Sequence, residues 1–282
     1  RESIIKMRLS YTDISRLKQK IENLINSERK YAKFFRPENK EMQELKASDG
    51  AAGDFFGSSV AVRGGWAAIG CPGADSGGTQ DIGAVYIFQF VQGQWIETQK
   101  ITAGDSFSFD YFGGLVAMDA GRLLIGSTYG EGPTNLDQGA VYSFEYDGQQ
   151  WIEKQKIVSS NGEDEDQFGG WSLAVQGRSA VVGAPYHDTK NKKNSGAAYI
   201  FKFIAGQWVE TKMFTAPTNT IFLSGGLATY PGSPNDYFGL SAAIDGNRTV
   251  FGAPGEDVYP TNKPVVSWWP NTGAAYVFVS SF

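Results

Sequence analysis

At 282 residues the chain is long enough for one large all-β domain or two ordinary ones. Apolar residues at 41% and aromatics at 14% are ample for a packed core, and 35 glycines suit a protein built from tight turns. The net charge of −5, with no basic stripe beyond the N-terminal region, argues against nucleic acid as a partner, and no run reaches the roughly 18 apolar residues of a membrane span. The one cysteine, Cys71, excludes an internal disulfide framework and reads as a small buried apolar residue.

Residues 1–40 differ from the rest. They are charge-rich and lack glycine, and Ile14, Leu17, Ile21 and Leu24 stand at helical spacing. Ser10 or Thr12 can cap the helix and Pro37 ends it. Two good heptads suggest a coiled coil through which copies associate, a helix lying on its own propeller and a disordered arm being the other readings. The chain starts at Arg1 without an initiator Met, as a processed or trimmed product would.

From residue 41 the chain is repetitive. Asp-x-Phe-Gly begins at Asp54, Asp110, Asp166 and Asp236, the first three evenly spaced and the fourth after a longer step. Each is followed by Gly-x-x-Tyr-x-Phe or a close variant, at Gly83, Gly139, Gly196 and Gly273, and Trp-x-Glu follows at Trp95, Trp151 and Trp208. Apolar runs rich in Val, Ile, Tyr, Phe and Trp alternate with Gly-bearing turns, the signature of strands and hairpins. A unit of this length cannot bury its own apolar face and must stack on its neighbours. Four such units of four strands each make a β-propeller.

Glu41–Asp49 matches Glu97–Asp105, so it is a fourth strand with no unit before it, while the last copy stops at Tyr276-Val277-Phe278 without one. The expectation is that residues 41–46 complete the last unit and close a ring of four blades, the other reading being a larger ring completed by further sequence or subunits. The domains are then 1–40, helical, and 41–282, the propeller.

Phe56-Gly57, Gly183-Ala184-Pro185 and Gly252-Ala253-Pro254 make this chain similar to FG-GAP repeat proteins, the family of the integrin α-subunit propeller. The resemblance covers residues from about 41 to the C-terminus. It implies a non-enzymatic adhesion or protein-interaction module, extracellular or on the cell surface. Copy one reads Gly70-Cys71-Pro72 and copy two Gly126-Ser127-Thr128, departures from the motif.

The family's calcium sites do not carry over. The turns Arg63-Gly64-Gly65, Asp119-Ala120-Gly121, Gln176-Gly177-Arg178 and Asp245-Gly246-Asn247 are too short and too poor in carboxylates to surround a cation. No cofactor is expected, which leaves only irregular acidic loops such as Glu163–Asp166 for calcium. The motif residues Asp54, Asp110, Asp166 and Asp236 read as turn-forming carboxylates that accept backbone N–H groups. Phe56, Phe112, Phe168 and Phe238 read as wedges between blades, beside glycines that allow close approach.

Enzymatic readings are poor, since the single histidine, His187, has no nucleophile motif around it and cannot build a metal cluster alone. Candidate binding residues lie in the insertions at 215–235 and 257–271: Trp268 and Trp269, with Tyr259, and His187 in its own loop. They would contact a protein or glycan ligand. A lectin using these aromatics is the first alternative, and a hydrolase with carboxylates in a central channel the second. Asn247-Arg248-Thr249 is a glycan acceptor sequence in a predicted hairpin turn.

Overall fold

The computed structural model describes residues 43–131, 137–190, 192–217, 221–223, 227–229, 233–260 and 271–279. The chain divides at Glu44, and the unit Leu45–Phe282 carries the fold. The helix expected in residues 1–40 lies outside the described residues.

The described chain is all-β. Blade one holds β1 (Ser59–Arg63), β2 (Trp66–Cys71), β3 (Ala84–Val91) and β4 (Gln94–Ile101), paired in that order. Blade two repeats this with β5 (Phe112–Asp119), β6 (Arg122–Ser127), β7 (Ala140–Tyr146) and β8 (Trp151–Ile157). Blade three does so with β9 (Leu173–Gln176), β10 (Ser179–Ala184), β11 (Ala197–Ile204) and β12 (Gln207–Thr215). All pairings within the blades are antiparallel, and the outer pair carries a bulge at the same place in each, after Ile87, Ser143 and Ile200. Next come β13 (Ile221–Leu223) and β14 (Leu227–Thr229), then β15 (Ser241–Asp245), β16 (Arg248–Ala253), β17 (Val258–Pro260) and β18 (Ala274–Val279). β13, β14 and β17 form a small sheet apart, and β15, β16 and β18 form blade four.

The central strands of the first three blades are buried on both faces, which explains their continuous apolar runs. The packing between blades makes three successive cores. One gathers Ala68, Val85 and Ile87 of blade one with Phe112, Leu123 and Tyr142 of blade two. The next joins Leu124 and Val141 to Phe168 and Tyr199, and the third joins Val181 and Ala198 to Phe238 and Phe251.

The motif glycines sit at these joints. A Cβ on Gly70, Gly126 or Gly183 would collide with the carbonyl of Gly113, Gly169 or Gly239, the glycine after the motif Phe in the following blade. Gly83, Gly139 and Gly196 likewise touch the backbone of Phe112, Phe168 and Phe238. The absent side chains let two backbones meet, so these motifs are joints.

The Trp-x-Glu marker also works across joints. Glu97 accepts from Ser48, Glu153 from the Gly104 N–H and Glu210 from Ser160, while the Gln99 and Gln155 amides exchange hydrogen bonds with the backbone of Trp151 and Trp208 in the following blade.

The expected ring closure is not found among the described residues. β18 pairs with β16 alone, and residues 43–46 lie outside any strand. Leu45 and Ala47 instead pack against the front of blade one, with Phe56 and Tyr86. They stand where Ile101 and Ala103 stand before blade two. The sequence match therefore marks residues that pack on the following blade, and the expected strand on blade four is not formed by residues 43–46.

Candidate binding face

Each blade begins with the same strained turn. The motif carboxylate accepts the N–H three residues earlier: Asp54 from Ala51, Asp110 from Phe107, Asp166 from Glu163 and Asp236 from Ser233, at 2.8, 2.8, 2.9 and 2.6 Å. All four carboxylates are buried. The residue after each Asp has a left-handed backbone, with φ of 57° at Phe55, 51° at Tyr111, 53° at Gln167 and 53° at Tyr237. A bulky residue in that region costs about 1–2 kcal/mol. Its carbonyl accepts an N–H three residues on, at Ser58, Gly114, Gly170 and Leu240, which fixes the turn.

This strained position and the residue after the Gly-Ala-Pro segment together build a row of aromatic side chains. Phe109 meets Tyr111 at 6.5 Å between ring centroids, and Tyr111 meets Tyr129 edge-on at 5.9 Å. Gln167 continues the row, donating to the Tyr129 hydroxyl at 3.3 Å and accepting from the Trp171 indole N–H. Trp171 lies 6.2 Å from Tyr186, and Tyr186 lies 5.4 Å from Tyr237 of blade four. Phe109 and Trp171 are exposed and the four tyrosines half-buried. Burial raises the pKa of Tyr111 and Tyr186, so both are neutral hydroxyls at neutral pH. The row crosses blades two, three and four on the face where their first strands begin. Sequence reading missed it because its members come from different repeats; the one signal available was the aromatic residue between Asp and Phe-Gly.

His187 is buried beside Asp166. Its Nδ1 is 2.8 Å from Asp166 Oδ2, and its Nε2 is 3.2 Å from the Asn161 amide nitrogen. A hydrogen on Nδ1 lets the ring donate to the carboxylate and accept from Asn161, whose carbonyl in turn accepts from Tyr199 at 2.9 Å. Burial pulls the imidazole pKa down, but the Asp166 carboxylate outweighs it and leaves the pKa raised. In blades one and two the same place holds an ion pair under a tyrosine: Asp49 with Lys100 and Tyr86, and Asp105 with Lys156 and Tyr142. Asn161 and Met213 replace that pair. His187 is thus part of a joint, inside the fold, and not a surface contact.

Cys71 is buried with Sγ 3.2 Å from the Asp54 carbonyl, and burial pushes its pKa up to about 11, which makes it unreactive. Among the described residues no three His, Cys, Asp or Glu side chains converge as a metal site. Trp268 and Trp269 lie outside the described residues, and Tyr259 is in β17, paired with Ala228. Phe112, Phe168 and Phe238 are fully buried, while Phe56 is partly exposed.

Blades of this construction define a propeller-type repeat protein that carries a row of aromatic side chains across three blades. The model of the FG-GAP repeat matches residues 40–88, 95–144 and 151–201, and the chain belongs to that family. No curated protein matches the chain. Among the described residues no helix is long and apolar enough to cross a membrane.

Proposed function

We propose that the protein is a non-enzymatic interaction module that binds a protein partner through the row Phe109, Tyr111, Tyr129, Trp171, Tyr186 and Tyr237. The observation that carries this reading is the alignment of these rings over three blades on turns strained by left-handed residues. Strain held in a rigid scaffold is a mark of functional positions, and rigid aromatic side chains with hydroxyl and indole handles are favoured contact groups in protein interfaces. Residues 1–40 would present or assemble the module. An extracellular or cell-surface setting goes with this reading and rests on the resemblance to adhesion propellers.

The test is a peptide array and a glycan array, each probed with the full chain and with a Tyr111→Ala, Trp171→Ala, Tyr186→Ala variant. Peptide binding lost in the variant, with its melting curve kept cooperative, is the expected result. Signal on the glycan array alone would favour the lectin alternative. Binding that survives the triple substitution would remove the aromatic row from the function.

A further inference from the structure

The three internal joints each have two halves, and among the described residues one copy of each half is left over at the ends of the arc. In blades two to four the motif Phe is fully buried, and the residues equivalent to Val60 and Val62 pack against the preceding blade: Val116 and Met118, Leu173 and Val175, Ala242 and Ile244. In blade one Val60 is 69% and Val62 68% exposed, and Gly57 has nothing near the place its Cβ would occupy. This is the front half of a joint without a blade before it.

The back half is bare on blade four. Val277 and Val279 of β18 are 64% and 65% exposed, and Ala275 is exposed where Val85, Val141 and Ala198 are fully buried. Gly252 and Gly273 meet only their own blade, whereas Gly70, Gly126 and Gly183, and likewise Gly83, Gly139 and Gly196, touch the next one. An open groove of about 490 Å³ lies between them, lined by Ser241, Gly252, Pro254 and Ala275. At the other joints that space holds the Phe-Gly turn of the following blade. Ser59 and Ser172 there donate to the Gly113 and Gly239 carbonyls at 2.8 and 2.6 Å, and Ser241 is the equivalent residue. Asp245 stands where Asp119 and Gln176 accept the hairpin N–H groups of Gly177 and Gly246.

We infer that a second copy of this chain occupies the groove, its Phe56-Gly57 turn seated on blade four and its Val60 and Val62 against Val277 and Val279. The two bare halves are complementary because three joints made of the same parts are already assembled within the chain. Ser241 then donates to the Gly57 carbonyl of the second copy, and Asp245 accepts its Gly64 N–H. The contact is head-to-tail, so it closes into a ring of blades or runs on as a filament.

The experiment is solution mass by light scattering and sedimentation on the full chain. Ala275→Arg blocks the groove and Val60→Asp spoils the front half; both positions are exposed, so neither should disturb folding, as circular dichroism will verify. The wild type is expected to exceed the mass of one chain, and each variant alone to fall to it, with association weakened at least about a hundredfold. Mixing the two variants should restore a particle of two chains and no more, because one intact front then meets one intact back. Wild type that stays single at high concentration overturns the proposal. So does an oligomer that survives both substitutions, which would assign assembly to residues 1–40, or a mixture that remains monomeric. Should either variant lose its folded signal, Val277→Glu replaces Ala275→Arg and Val62→Asp replaces Val60→Asp under the same criteria.

Discussion

The same substitution, Phe→Ala, should have different costs at equivalent positions of different blades. Phe168 is fully buried, with edge-on contacts to Tyr199 at 5.4 Å and Phe201 at 5.9 Å, and it shares a core with Leu124, Val141 and Ile157 of the preceding blade. Phe56 has the same contacts within its own blade, to Tyr86 at 5.6 Å and Phe88 at 6.3 Å, but among the described residues Leu45 and Ala47 stand in for a preceding blade. Truncating a fully buried Phe costs about 3–5 kcal/mol through lost transfer energy and the cavity left behind. At Phe56 a partly exposed ring in a site open on one side loses less, roughly half that. The comparison belongs in an Ala275→Arg background, so that no second chain covers Phe56. Native-state hydrogen exchange reads it blade by blade, through the amides of β2–β3 for Phe56→Ala and of β10–β11 for Phe168→Ala. Equal losses of protection would refute the claim that a preceding blade supplies half of the burial.

A similar contrast is expected for glycine. Gly183→Ala drives a methyl into the Gly239 backbone and should cost more than about 4 kcal/mol, whereas Gly252→Ala, compared in the same Ala275→Arg background, meets only the Ser241 side chain and should cost a fraction of that in chemical denaturation. At the joint of blades two and three, the His187 imidazolium paired with Asp166 contributes stability that is full below its unfolded pKa of about 6.5 and is lost as pH rises through the raised native value. Melting temperature should therefore fall over that window, and His187→Gln should flatten the fall; an unchanged slope would exclude the pair as its source. Finally, Asp105→Asn with Lys156→Met copies the natural Asn161 and Met213 arrangement at the joint of blades one and two. This half-exposed ion pair is worth about 0–1 kcal/mol, so a double-mutant cycle should give a coupling within that range; a larger coupling would mean that the Tyr142 contact depends on the charge pair.

Much of this molecule was legible from spacing alone. The Asp-x-Phe-Gly and Gly-x-x-Tyr-x-Phe segments recur in register because each blade must present the same two faces, so the repeats announced the strands, the buried Phe wedges and the family. The turn role of Asp54, Asp110, Asp166 and Asp236 could be anticipated from the chemistry of a short carboxylate at a strand start, and the coordinates place each beside the N–H three residues earlier. The aromatic row was less accessible. Tyr129 and Gln167 are distant in sequence and belong to different copies, and nothing in a linear pattern says that the residue after one motif touches the residue inside the next. The role of Glu97, Glu153 and Glu210 stayed hidden for the same reason, since their partners precede the blade to which they belong.

The end-strand match shows where sequence reading stops. Residues 41–49 repeat 97–105, and the likeness shows in Leu45 and Ala47 packing on the blade that follows, although residues 43–46 lie in no strand. Whether they also pair with β18 depends on how far four blades turn about their axis, a sum of small rotations at each joint that no residue encodes by itself. Local chemistry, repeated, determined the parts: strand, turn, wedge and glycine contact. The angle at which successive parts meet, and hence the bare faces at either end and the alignment of rings across three blades, was decided only when the side chains packed together in three dimensions.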